Sequence, residues 1–263
     1  MTKVLTILSI GREPVKFLAR TEHVFFFKRN LKMIIHQCWK ENDSTYDHVF
    51  EHNRKFGEHK LWNDNSMEEF IKHNFDSKIY KAYKRINPKF GAARTDLFRY
   101  CVLYVQGGLY LDAKSTIVSN LSELPSSEYP LLVTWYWDGY WKEYLGDPKG
   151  EFTQWCIYVT KPKHFILKLL IDTVVQKIED FDPTRTNYNT FTHYEAETET
   201  KFAVLTTTGP LVFHQVLSRF KDQSVSIRNN LISKYNYPDI ENPNHYSKLK
   251  VQDFIGPNED CDS

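Results

Sequence analysis

Asp96 and Arg99 stand three residues apart in the stretch ARTDLFRYCVLYVQ. Within it, Leu97, Tyr100, Cys101, Tyr104 and Val105 recur at helical spacing. A separation of three puts the carboxylate and the guanidinium on one helix face. Gly107 and Gly108 supply the stop, and LYLD then reads as a strand ending in a further carboxylate, Asp112. Carboxylates and guanidinium groups make charge-assisted bonds to hydroxyl and phosphate oxygens, so the trio suits a sugar or a phosphate ester. Taken singly, the pair is a helix ion pair and Asp112 a turn cap. Joined in one run, ARTDLFRYCVLYVQGGLYLD, they mark the end of the LYLD strand as the first place to look, because ligands of open α/β sheets bind beyond the carboxyl ends of strands.

The elements that must position these residues alternate. LKMIIHQCW (31–39) suits a buried strand, and LWND (61–64) a strand end. Ser66 and Glu69 have the spacing of a capping box that opens a helix through MEEFIKHNF. Further strands are expected at PLLVTWYW (130–137), QWCIYVT (154–160) and FAVLTTT (202–208). Pro162 reads as a first-turn proline of a helix with Phe165, Ile166, Leu169, Leu170, Val174 and Ile178 lining one face. Gly209-Pro210 starts a helix through Phe220, and Asp180–Lys201 reads as a polar surface excursion. Strands alternating with helices give an α/β fold on a mostly parallel central sheet.

Several classes are excluded. With 34 Lys+Arg against 33 Asp+Glu, the chain lacks the basic excess of a nucleic-acid binder. No apolar run approaches the ~18–20 residues of a transmembrane helix, and the opening KVLTILSI has no cleavage site behind it, which leads to the expectation of a soluble, cytoplasmic protein. Cys38, Cys101, Cys156 and Cys261 show no zinc spacing, and the first three read as reduced core thiols. No G-x-G-x-x-G, G-x-x-x-x-G-K-[ST] or G-x-S-x-G pattern occurs.

Ala93, Thr95, Asp96, Arg99 and Tyr100, followed by Gly107, Gly108, Tyr110 and Asp112, resemble the A-x-S-D-x-x-R-Y and G-G-x-Y-x-D-x-D patterns of glycosyltransferase family 32. That group bears the DXD sugar-binding region and includes fungal initiating mannosyltransferases and capsular polysaccharide enzymes, and glucosylating toxins share its core pattern. LKMIIHQCW is similar to its I-P-K-x-I-H-Q-x-W strand, and LWNDNSMEEFIKHNF, QWCIYVTKPKHFIL and TTTGP match later pieces, so the likeness runs from about Leu31 to Phe220. It implies a GT-A fold, a Rossmann-like nucleotide-sugar-binding domain over 31–220. An N-terminal extension (1–30) would precede it, and a C-terminal segment (221–263) with a frayed end would close over the site.

The resemblance also implies roles. Trp39 would stack on the nucleotide base, although a core tryptophan at a strand end is an equal reading. Asp96, Arg99 and Tyr110 would hold the donor, as would the T-G-P turn at Thr208 and Gly209. Asp112 would contact the ribose or a divalent Mn²⁺ or Mg²⁺ ion, hard cations that prefer oxygen ligands. One position departs: Lys114 replaces the second acid of the DXD pattern. A protonated lysine is no metal ligand. Either Lys114 neutralises the diphosphate itself, or Asp112 and a late residue such as His245 hold an ion, or the site binds without much turnover. The implied function is transfer of a sugar from a nucleoside diphosphate donor to a hydroxyl of a glycan acceptor, with retention, as in polysaccharide biosynthesis. A sugar-nucleotide-binding scaffold and a nucleotide-sugar hydrolase are the alternatives.

Overall fold

The computed structural model describes residues 33–126, 130–137, 145–184, 199–226, 232–234 and 245–257. The chain divides between Leu31 and Lys32, and the description here concerns the second unit. The N-terminal extension, most of the Asp180–Lys201 excursion and the last residues, expected to be frayed, lie outside the described residues. In chain order the elements begin β1 (Ile34–Cys38), α1 (Asp47–Asn53), β2 (Glu58–Trp62), α2 (Asp64–Asn74), α3 (Ser77–Arg85), α4 (Gly91–Gln106), β3 (Gly108–Leu111) and β4 (Ser115–Ile117). They continue with β5 (Leu132–Thr134), β6 (Tyr136–Trp137), β7 (Glu151–Phe152), β8 (Cys156–Val159), α5 (Phe165–Glu179), α6 (Glu199–Thr207), α7 (Pro210–Leu217), β9 (Ser224–Ser226) and β10 (Ile232–Lys234).

Six strands form the central sheet in the order β2-β1-β3-β8-β5-β9. β1 pairs in parallel with β2 and β3, and β5 with β9. β8 runs against both its neighbours, β3 and β5. The sheet is therefore α/β and mostly parallel, with one reversed strand. The inner strands β1, β3, β8 and β5 are buried on both faces, as parallel sheets require, while the edge strand β2 is partly exposed. On β3, Leu109 and Leu111 join one apolar cluster with Ile35, Val133 and Cys156, while Tyr110 points into the larger cluster under α4 and α5. Each large side chain buried there contributes about 1.5–3 kcal/mol.

α4 carries the site, and its burial explains how. Ala93, Arg94 and the run Asp96–Leu103 are all buried, so the helix is enclosed by protein around most of its circumference instead of resting one stripe on the sheet. Its charged pair goes inside with it. The helix turns directly into β3 at Gly107 (φ 66°) and Gly108 (φ 90°), and a Cβ at Gly108 would lie 2.5 Å from the Ile34 carbonyl oxygen. Only glycine lets β3 start flush against β1.

Five expectations need correction. The capping box is Asn63 with Ser66, not Ser66 with Glu69: Asn63 Oδ1 accepts from the Ser66 amide and Ser66 Oγ from the Asn63 amide, both at 2.9 Å. Asparagine competes fully with serine as an N-cap, so α2 starts two residues before Ser66. Pro162 precedes the α5 helix; His164 is its N-cap, and Lys163 in the left-handed region (φ 62°) separates the two. Phe165 is 50% exposed, and the buried face of α5 is Ile166, Leu167, Leu170, Ile171, Val174, Val175 and Ile178. FAVLTTT is the body of α6, not a strand: Ala203 and Val204 pack into the main core, and Thr206 Oγ1 donates back to the Phe202 carbonyl at 2.9 Å. Tertiary burial here overrides the β preference of Val and Thr. The following helix, α7, ends at Leu217, and a kinked 3-10 segment carries the chain past Phe220.

The described tail packs back on the helices. Ile255 bridges Ile86, the Gly256 amide donates to the Arg85 carbonyl at 2.8 Å, and Phe254 is buried against Phe90 and Phe181. Cys38, Cys101 and Cys156 are buried free thiols, as expected.

Candidate active site

Arg99 is the hub. Its Nη2 lies 2.7 Å from Asp96 Oδ1 and its Nη1 3.3 Å from Asp112 Oδ1, and Nη1 donates to the Gln154 carbonyl at 3.0 Å. The guanidinium sits 4.7 Å from the centre of the Tyr110 ring, a cation–π contact, and the Tyr110 hydroxyl approaches Asp112 Oδ1 at 3.4 Å. Thr208, distant in sequence, donates from Oγ1 to Asp96 Oδ2 at 3.1 Å. The structure thus brings together Asp96, Arg99, Tyr110, Asp112 and Thr208. It buries Asp96 and Arg99 to about a twentieth of their surface and leaves the Asp112 side chain 27% exposed.

Two participants were missed as site residues. Gln154 Nε2 donates to the Thr208 carbonyl at 3.1 Å and to the Tyr100 hydroxyl, and that hydroxyl donates to the same carbonyl at 3.1 Å. Gln154 sits just before β8 in a run that reads only as a strand, and Tyr100 appears in the sequence as an apolar helix position. The signal was a polar residue heading an apolar strand. The Thr208 carbonyl is occupied by these two donors, and Gly209 is the N-cap of α7, where a Cβ would lie 2.8 Å from Leu205 Cα. The T-G-P turn therefore braces α4 from behind.

Burial pushes the Asp96 carboxyl up to about 7; Arg99 opposes the rise, Asp112 adds to it and the Thr208 hydroxyl opposes it. Arg99 stays protonated throughout, its proton held more tightly despite burial by Tyr110, Asp96 and Asp112. The Tyr110 hydroxyl is driven up by burial and remains neutral.

Asp112 opens a tight turn. Its carbonyl accepts the Ser115 amide at 2.9 Å, so Ala113 and Lys114 are the two central residues between β3 and β4. Lys114 is half-buried there. Trp39 leaves the end of β1, its amide bonded to the Trp62 carbonyl at 2.9 Å and its ring edge-on to Tyr46 at 4.6 Å. The β1–β3 register pairs Ile35 with Leu109 and His36 with Tyr110, so its continuation puts Cys38 beside Asp112. Trp39 and Asp112 therefore stand at the carboxyl ends of adjacent parallel strands, where open sheets bind ligands. With Lys40, Asp43, Asp47, Leu61 and Asn63, Trp39 lines a cavity of about 560 Å³, and its indole nitrogen is buried without a hydrogen-bond partner.

His245 caps a short 3-10 turn, with Nδ1 2.7 Å from Ser247 Oγ and its ring against Tyr246. Among the described residues no three His, Cys, Asp or Glu side chains group as a metal site. Asp112 shares one oxygen with a guanidinium and a tyrosine hydroxyl, and Lys114 follows two residues on. That donor set does not fit a resident Mg²⁺ or Mn²⁺ ion, which takes about six oxygens.

Residues 39–130 match the family described as glycosyltransferase sugar-binding region containing DXD motif. An uncharacterized glycosyltransferase of Acanthamoeba polyphaga mimivirus is 29% identical over 100 residues, covering 34% of this chain and 38% of that protein. Inositol phosphoceramide mannosyltransferase 3 of Schizosaccharomyces pombe is 35% identical over 107 residues, covering 38% of this chain and 28% of that one. The chain thus spans well under half the length of these curated relatives. Among solved structures, the PaToxG glycosyltransferase is 17% identical with a TM-score of 0.48, covering 72% of this chain and 70% of that chain. The UDP-bound glycosyltransferase domain from the YGT toxin is 12% identical with a TM-score of 0.42, covering 71% and 55%. The resemblance read from the sequence and the family match meet on the stretch that builds the site. Among the described residues no helix is long and apolar enough to cross a membrane.

Proposed function

We propose that this glycosyltransferase region, in a GT-A arrangement, moves a sugar from a nucleoside diphosphate donor to a hydroxyl of a glycan or other acceptor, with retention. The observation that carries the reading is the meeting of Asp96, Arg99 and Asp112 at the end of β3, next to the end of β1 from which Trp39 leaves. In this reading Trp39 stacks on the base through the face of its ring. Arg99 is held by Asp96 and orients Asp112, which bonds ribose or sugar hydroxyls. As the bond between the sugar C1 and the diphosphate breaks, its electron pair leaves with the phosphate oxygen. Lys114 is the cation assigned to that charge, a task electrostatic preorganisation favours. The acceptor oxygen forms the new C1–O bond, and its proton passes to the departing diphosphate oxygen.

A panel of UDP-, GDP-, ADP- and CDP-sugars tests this, first by thermal shift and then by release of nucleoside diphosphate with and without acceptor, Mn²⁺ and EDTA. A ligand at a hundredfold excess over its Kd adds about 2.7 kcal/mol of stability, an effect easily seen. Release stimulated by acceptor is the expected result. Release that no acceptor stimulates would make the protein a nucleotide-sugar hydrolase, and binding without release a scaffold. No binding across the panel would overturn the reading.

A further inference from the structure

The D-A-K turn that bears Asp112 and Lys114 is tied to the sheet by a side chain with no assigned role. Gln37, on β1, has no exposed surface. Its Nε2 lies 3.1 Å from the Asp112 carbonyl oxygen and 3.4 Å from those of Ala113 and Ser115, so one amide faces three carbonyls of the turn. Its Oε1 accepts from Asn53 Nδ2 and from His59 Nε2, both at 2.9 Å. An amide oxygen only accepts, so His59 carries its proton on Nε2. Burial lowers His59 to about 4, with Arg54 a smaller influence in the same direction, so it is the neutral ring that donates near pH 7. These two donors fix which end of the Gln37 amide faces the turn.

Asn53 closes the cage. Also fully buried, it donates from Nδ2 to the Ser115 carbonyl at 2.9 Å and accepts the Ile117 amide at 3.0 Å. By contrast, the contacts of the Asp112 carboxylate with Arg99 and Tyr110 are long, at 3.3 and 3.4 Å. The β3–β8 pairing reaches Leu111 opposite Cys156, and beyond it the Asp112 amide bonds the Trp155 carbonyl at 2.9 Å. The strand ladder thus positions the turn's entry, and the Ser115 amide and Asn53 hold the Asp112 and Ser115 carbonyls, while Gln37 is the one side chain that reaches the Asp112, Ala113 and Ser115 carbonyls together. The Gln37 and Asn53 amides are thus bonded at both ends, while His59 Nδ1 and Ser115 Oγ are buried without a partner; buried amides bonded in this way rigidify what they hold.

We propose that Gln37, oriented by Asn53 and His59, is the positioning residue that sets where Asp112 and Lys114 meet the donor's diphosphate. The proposal rests on the donor reading above, so its test has one readout that depends on that reading and one that does not. The first is the ratio of nucleoside Kd to nucleoside diphosphate Kd, measured by calorimetry with uridine, guanosine, adenosine and cytidine and their diphosphates. Residues that orient a binding group lose about 10–100-fold in affinity when removed from comparable supporting shells. In Gln37→Met the ratio should fall at least tenfold while nucleoside affinity holds, and in His59→Leu it should fall less. A purely structural role would lower Tm and leave the ratio where it was. The second readout is deuterium exchange at the Ser115 and Ile117 amides, which should speed up in both variants with β8 and α5 still protected.

A folded Gln37→Met protein with unchanged ratio would overturn the assignment. Should Gln37→Met fail to fold, His59→Leu decides by the same two measurements. If the wild type binds none of the nucleoside diphosphates, the donor reading fails. Exchange then decides whether Gln37 holds the turn: unchanged exchange at Ser115 and Ile117 refutes it.

Discussion

Replacing Arg99 with methionine keeps most of the side chain's volume and removes one charge from the interior. In the wild type that charge is shared by Asp96 at 2.7 Å and Asp112 at 3.3 Å, on a side chain only 6% exposed. Arg99→Ala would therefore be no surface change of at most ~1 kcal/mol. Breaking a buried pair from one side costs about 3–5 kcal/mol, a large part of the 5–15 kcal/mol that holds a domain together. The cost has a pH signature. Asp96 already stands at about 7 in the folded protein, so the stability it permits is fully present below the unfolded carboxyl value and is lost as pH rises toward 7. The loss proceeds at about 1.4 kcal/mol per pH unit. Without Arg99 the carboxyl must rise further, and the loss continues above pH 7. Urea unfolding followed by tryptophan fluorescence at pH 5.5, 7 and 8.5 should show Arg99→Met falling furthest at 8.5. Adding Asp96→Asn removes the orphaned charge and should recover at least ~1.4 kcal/mol there, a tenfold change in the folding equilibrium. A penalty below about 1 kcal/mol at pH 8.5, or strict additivity of the two changes, would refute the account of Arg99 as the buried hub.

Two other expectations concern ligands. Trp39→Ala should weaken nucleoside and nucleoside diphosphate binding alike by about 1–3 kcal/mol, the worth of one base–aromatic stack. Equal affinity in calorimetry would return Trp39 to a packing role. Lys114→Asp should slow release of nucleoside diphosphate in EDTA and restore part of it with Mn²⁺. Retained EDTA-insensitive release would show that Lys114 does not face the leaving group.

Much of the site was legible because it is local. Asp96, Arg99, the double glycine and Asp112 occupy one run, and a helix, a stop and a strand of fixed geometry are enough to return Asp112 to Arg99. The opening strand was legible for the same reason, since Met33, Ile34 and Ile35 are a short apolar run, β-branched at both isoleucines and bounded by polar segments. Most of what failed was decided by contacts distant in sequence. FAVLTTT has β-branched residues at strand-like density, yet α6 forms because Ala203 and Val204 reach the core under α4 and α5. Asn63 outran Ser66 as the cap by a preference of well under 1 kcal/mol, below what a pattern resolves. Gln154 shows only as a polar residue ahead of an apolar strand, and Gln37 only as one letter of the I-H-Q-x-W resemblance with no role attached, and their meaning lies in partners 55 and 75 residues away.

The same locality explains what Lys114 does to the electrostatics. Asp96, Arg99 and Asp112 sum to one net negative charge when Asp96 is ionised, in a region where two of the three are almost wholly buried. A diphosphate brought to Asp112 would meet like charge, at about 4 kcal/mol per pair at ~4 Å and an effective dielectric of 20. A second acid at position 114 would add to that repulsion and would need a divalent ion to reverse it. Lysine at 114 brings the four-residue sum to zero without one. Because the turn is held by its carbonyls, through Gln37, its backbone can stay in place whichever side chain occupies position 114. Acid and ammonium are thus two solutions to one charge problem on the same turn, and the protein's departure from the acidic pattern is compatible with a working donor site.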